Sequence, residues 1–151
     1  VVQWLAGHGG SVTQPDEDGI TPLSVAAQKG QLAVVQWLAG HGGSVAQPDD
    51  VGFTPLSAAA LEGHLAVVQW LAGHGGSVTQ VDKHGSTPLA IAAQNGHLAV
   101  VQWLAGHGGS VTQPTNSPFT PIVVANHFGH GTVAAFLTAV ASWPAFKILV
   151  A

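Results

Sequence analysis

Histidine carries most of the chemical capacity in this chain. There are nine histidines, and seven fall into two registers. His8, His41, His74 and His107 recur every 33 residues. His64, His97 and His130 recur at the same interval, with Gln31 at the preceding place. Imidazoles serve as metal ligands, general bases and pH-sensitive donors. A shared zinc needs each ligating nitrogen within about 2.0–2.1 Å of the ion. Equivalent places on packed helices lie about 8–10 Å apart, so neither register assembles a chelate. The first register fits a helix C-terminus, where a hydrogen-bonding or cationic side chain is favoured. His127 and His130 are close in sequence, but no carboxylate or third ligand stands beside them. No metal site is expected.

Catalysis is no better supplied. Ser, His and Asp are all present, but the spacings of a nucleophile elbow, a zinc-protease helix or a phosphate loop are absent. A residue that recurs in every unit is no unique nucleophile. The segment that breaks the pattern, Pro114 to His130, has no Asp, Glu or Lys to tune a base. No catalytic residue and no cofactor are expected. Trp4, Trp37, Trp70 and Trp103 form a third register. A stacking platform for sugars or bases is one use of it. Packing at the seams between units is the use expected of large aromatics.

Composition narrows the partners. Charged residues make up 7% of the 151 residues, far below the roughly 25% of ordinary soluble chains. Three lysines, no arginine and a net charge of −4 argue against nucleic acid, whose phosphates need clustered cations. There is no cysteine, so neither disulfides nor thiolate metal sites arise. The apolar run Thr132 to Phe146 is shorter than the about 20 residues of a membrane span. Ser142 and Pro144 interrupt it further. A terminal helix pair is the expected reading. The chain opens on Val1-Val2-Gln3-Trp4-Leu5 and closes on Ile148-Leu149-Val150-Ala151, both inside a helical pattern. It reads as a stretch of a longer polypeptide.

The elements that hold these residues are repeated. The string VVQWLAGHGG begins at Val1, Val34, Val67 and Val100, and Thr-Pro at Thr21, Thr54, Thr87 and Thr120. In the unit from Gly52, Thr54 is a helix N-cap and Pro55 sits at the first helical position, where a missing N–H costs nothing. Leu56, Ala59 and Ala60 give a short helix with a small-residue face, and Gly63 ends it. Leu65 to Ala72 form a second helix with Val67, Val68, Trp70 and Leu71 along one stripe. Gly73, Gly75 and Gly76 stop it. Gln80 to Gly85 reads as a turn or hairpin tip. Neither helix reaches the roughly 12–15 residues that stand alone in water. Each pair must stack on its neighbours.

A 33-residue period with T-P-L and G-H-L resembles the ankyrin repeat family over nearly the whole chain. The resemblance implies an all-α repeat solenoid of stacked helix–turn–helix units with hairpin-like finger loops. It also favours an intracellular setting. The expected divisions of a single array are a partial repeat 1–18, repeats 19–51, 52–84 and 85–117, a divergent repeat 118–141 and the start of a further unit over 142–151. The position after T-P-L, usually His in the family, is Ser24, Ser57, Ala90 and Val123. The hydrogen bonds of that His are therefore missing.

The resemblance implies a protein-interaction module with no catalysis. Fingers and first helices line the concave face of such arrays, and these are the places where the near-identical units differ. At the fingers the varying residues are Glu17, Asp18 and Ile20; Asp50, Val51 and Phe53; Lys83, His84 and Ser86; Asn116, Ser117 and Phe119. On the first helices they include Lys29, Leu61, Glu62 and Asn95. Ile20, Phe53 and Phe119 would be apolar anchors with polar neighbours. Loops also vary because they tolerate change. Asp16, Asp49 and Asp82 are assigned turn roles. Two further readings stand beside this one. The array would be a regulatory or targeting segment of a larger enzyme or channel, or a spacer that self-associates through uncapped apolar ends.

Overall fold

The computed structural model describes residues 7, 10–116 and 118–143. The chain divides into two compact units, Val1–Ser77 and Val78–Ala151. Each is built from helix pairs, and no strand occurs among the described residues. Unit 1 contains α1 (Pro22–Gln28), α2 (Leu32–Gly40), α3 (Pro55–Glu62) and α4 (Leu65–Gly73). Unit 2 contains α5 (Pro88–Gln94), α6 (Leu98–Gly106), α7 (Pro121–His127) and α8 (Gly131–Ser142). This is the all-α repeat class that the 33-residue period calls for.

Local chemistry starts each first helix. Thr21, Thr54 and Thr87 are N-caps whose hydroxyls accept from Ser24 N, Ser57 N and Ala90 N at 3.1, 3.2 and 3.2 Å. A proline follows each cap at the first helical position. Thr120 keeps the extended cap backbone but makes no side-chain cap bond. Ser57 partly replaces the histidine the resemblance calls for, its hydroxyl lying 3.1 Å from the buried Thr54 hydroxyl.

Packing supplies what short helices lack. In unit 1, α1 packs on α2 and α3, and α3 packs on α4. Leu23, Leu38, Leu56 and Leu71 are fully buried there, with Val35, Val67 and Val68. In unit 2, α5 packs on α6 and α7, and α8 packs on α7 and α6. Leu89, Leu104 and Leu137 fill that core. Each buried Leu stabilises by about 1.5–3 kcal/mol relative to exposure, whereas the helices alone would be marginal. After each identical second helix the chain folds back. Gly43 N, Gly76 N and Gly109 N donate to Leu38 O, Leu71 O and Leu104 O, each at 2.8 Å.

The last helix, α8, has 12 residues and runs to Ser142. The Ser142 hydroxyl donates back to Ala139 O at 3.0 Å, so it completes this helix. The remainder of the further unit expected over 142–151, from residue 144 onward, lies outside the described residues. So do Trp4, His8 and Ser117.

Candidate functional site

The fingers are held from within by one aspartate each. Asp16 Oδ1 accepts from Asp18 N at 3.1 Å and Ile20 N at 2.8 Å. Asp49 Oδ1 accepts from Val51 N at 3.0 Å and Phe53 N at 2.8 Å. Asp82 Oδ1 accepts from His84 N at 2.8 Å and Ser86 N at 2.9 Å. A backbone pair closes each loop at its base, as in Asp49 N to Phe53 O at 3.0 Å. These three aspartates therefore have the turn role read from their positions. Thr115 stands in the fourth finger, and its N still donates to Phe119 O at 3.1 Å.

Neighbouring tips are joined. In unit 1, Asp50 N donates to Asp18 O at 3.0 Å. Gly19 there has φ +78, and a Cβ on it would meet Asp50 Oδ1 at 2.6 Å. In unit 2, Asn116 N donates to His84 O at 2.9 Å, and its amide Nδ2 donates to Lys83 O at 2.9 Å. Of the candidate contact residues, Asp50 and Asn116 thus also tie finger to finger.

The remaining candidates sort by exposure. Glu17, Asp18, Asp50, Lys83, His84, Asn116 and Phe119 are exposed at the tips, while Ile20, Val51, Phe53 and Ser86 are half-buried beneath them. Lys29, Glu62 and Asn95 are exposed at the ends of α1, α3 and α5, and Leu61 is half-buried. The Asn95 amide donates to Ile91 O at 2.9 Å. Glu17, Asp18, Asp50 and Glu62 all belong to unit 1, and no ion pair involves them among the described residues. Ser117 lies outside the described residues.

His64, the N-cap residue of the second helix α4, reaches the end of the first helix α1. Its Nε2 donates to Gln28 O at 3.0 Å. The ring lies over Gly30, whose φ is +69 and whose Cβ would meet His64 Nδ1 at 2.6 Å. Glycine is needed there for both the left-handed backbone and the close approach.

On the second helices the tryptophan register differs from the expectation of seam packing alone. Trp37, Trp70 and Trp103 are half-exposed, and each stacks on the histidine four residues later. Ring centroids are 3.9 Å apart in each of the pairs Trp37–His41, Trp70–His74 and Trp103–His107. Each histidine Nδ1 lies 2.7 Å from its own tryptophan's carbonyl oxygen. These histidines are C-caps, the place assigned to their register. In unit 1, Trp70 and His74 form one wall of an open groove of about 570 Å³ against Gln36, Ala39 and Gly40. The stack was readable in principle, because positions i and i+4 share a helix face.

Among the described residues no three His, Asp or Glu side chains are grouped to hold a metal. No buried side-chain nitrogen or oxygen among them lacks a hydrogen-bond partner. No helix among them is long and apolar enough to cross a membrane.

These elements are caps, helix pairs, glycine-closed loops and aspartate-pinned fingers, repeated every 33 residues. They define a class of helical repeat proteins. The family model for ankyrin repeats (three copies) matches residues 1–82 and again 68–142. The chain belongs to the ankyrin repeat family, whose members are generally protein-interaction modules. No curated protein matches it.

Proposed function

We propose that the chain binds another protein through its finger tips and first-helix ends, and performs no catalysis. One observation carries this reading. The near-identical units differ at exposed places such as Glu17, Asp18, Lys83, His84, Lys29 and Glu62, while the buried frame of Leu23, Leu56 and Leu89 is constant. A scaffold held fixed beneath a varied surface is the arrangement of a recognition module, in which a few anchors supply most of the affinity. Phe119 is the most exposed apolar finger residue and would be one such anchor.

The test is affinity capture with two variants of matched fold. One carries Asp18→Lys, Lys29→Glu, Glu62→Lys and Phe119→Asp. The other carries Gln36→Arg, Gln69→Arg and Gln102→Arg on exposed places of the second helices. A protein retained by the parent and the second variant, and lost by the first, supports the reading. A protein retained by the first variant and lost by the second moves binding to the second helices and overturns it.

A further inference from the structure

The chain has three asparagines, Asn95, Asn116 and Asn126, and only Asn95 precedes a glycine. In an Asn-Gly pair the glycine nitrogen has no Cβ beside it to shield it, and the backbone turns freely. The residues after the other two asparagines, Ser117 and His127, both carry side chains. Asn95 is the C-cap of α5 and is exposed. At the equivalent place the two preceding repeats carry Lys29 and Glu62.

The fold holds both groups that could react. Asn95 N and its amide Nδ2 donate to the same oxygen, Ile91 O, at 3.2 and 2.9 Å. Gly96 N donates to Ala93 O at 3.3 Å. Asn95 has φ −100 and ψ 3. A five-membered ring between Asn95 Cγ and Gly96 N requires Cβ to eclipse the next peptide nitrogen, a ψ far from this one. Reaching it breaks the bonds of Nδ2 and of Gly96 N. Gly96 also lies beneath the His130 ring, with φ +76 and a Cβ that would meet His130 Nδ1 at 2.5 Å. The helix α5 has only seven residues, and such an end opens locally more easily than the whole fold unfolds.

We propose that Asn95 is a self-modification site gated by the end of α5, converting to aspartate and isoaspartate when that end opens. Gly96 N gives its proton to solvent base and attacks Asn95 Cγ. The new C–N bond closes a succinimide, and Nδ2 leaves as ammonia. Water then opens the ring, at Cγ to give aspartate or at the main-chain carbonyl to give isoaspartate. Nothing is oxidised or reduced. Either product places a negative charge where the amide was neutral. A carboxylate only accepts, so the bond to Ile91 O is lost. The charge also sits at the negative end of the helix. Isoaspartate adds a methylene to the main chain directly before Gly96, where the His130 ring already lies close. The conversion therefore loosens the end of α5 and makes an exposed place acidic, as Glu62 already is one repeat earlier.

Peptide mapping by mass spectrometry tests this on the 151-residue chain, aged at mildly alkaline pH in buffer and in guanidinium chloride. Acid at position 95 should accumulate in both, at least about tenfold faster in denaturant, where no opening step precedes the chemistry. Thr87→Ala removes the hydroxyl cap of α5 without touching Asn95. It should speed conversion in buffer and leave the rate in denaturant unchanged. Asn95→Asp, which copies one product, should melt below the parent. Equal rates in buffer and denaturant overturn the inference, as does a buffer rate indifferent to Thr87→Ala. So do Asn116 or Asn126 converting ahead of Asn95 in denaturant, and an Asn95→Asp melt equal to the parent's. These readouts concern one residue's mass and the fold's stability, so they are independent of the capture experiment.

Discussion

His74 lies flat against Trp70, with ring centroids 3.9 Å apart and its Nδ1 2.7 Å from the Trp70 carbonyl oxygen. A carbonyl oxygen only accepts, so Nδ1 carries the hydrogen. One side chain thereby satisfies a carbonyl left over at the helix end and covers an indole face. His74→Ala is expected to destabilise the fold by about 0.5–1.5 kcal/mol, the net scale of one hydrogen bond. His74→Phe would keep a ring beside the indole and lose the bond. Chemical denaturation followed by circular dichroism should rank parent above His74→Phe above His74→Ala. Equal stability of all three would show that neither contact matters.

Gly30 and His64 form the second pair with a measurable consequence. Gly30→Ala meets both a left-handed backbone, at about 1–2 kcal/mol, and the His64 ring. Gly129 has nearly the same backbone, φ +80, with nothing within 4 Å of a Cβ. Gly30→Ala should therefore cost more than Gly129→Ala. In a double-mutant cycle, His64→Ala should relieve part of the Gly30→Ala penalty, with a coupling of about 0.5–3 kcal/mol. Strict additivity would place the ring elsewhere in solution.

The fold was legible because the same signals recur with the same spacing. Thr54, Pro55 and Gly63 mark a helix by capping chemistry alone, and Asp49 and Asp82 mark turns. What the pattern concealed depends on three-dimensional neighbours. Trp70 and His74 are four residues apart and share a face, yet the eye reads each down its own register. Asp50 and Asn116 vary between units, which suits a contact surface, and their backbone N–H groups also bridge adjacent tips. The exposure of Val25 and Val123 is invisible in sequence, because apolar residues at equivalent places, Ile91 and Ala90, are buried.

Capping by the threonines separates two positions that the sequence makes look alike. Thr54 caps through its hydroxyl and is buried. Thr120 has the same extended backbone and a following proline, but no cap bond. Thr54→Ala is expected to cost about 0.5–2 kcal/mol, and Thr120→Ala distinctly less. Thr87→Ala should follow Thr54→Ala, since its hydroxyl accepts from Ala90 N at 3.2 Å. Thermal melts of the three variants check the order. A loss at Thr120 as large as at Thr54 would mean that the fourth cap forms in solution.

Gly40, Gly73 and Gly106 are the last residues of α2, α4 and α6, and a Cβ on any of them meets nothing within 4 Å. None has a positive φ. Glycine in a helix gives up backbone entropy that alanine does not. Each Gly→Ala substitution should therefore stabilise the chain, by about 0.5 kcal/mol at these terminal positions. The triple variant should approach the sum of the three, because distant sites add. Denaturant midpoints measure this directly, with the slope unchanged if the unfolded state keeps its compactness. Gly40 also lines the groove beside Trp70 and His74. A methyl there narrows that groove without touching the fingers, so a gain in stability with capture unchanged would place recognition away from it. Destabilisation by Gly40→Ala would instead show that the space above it is filled in solution.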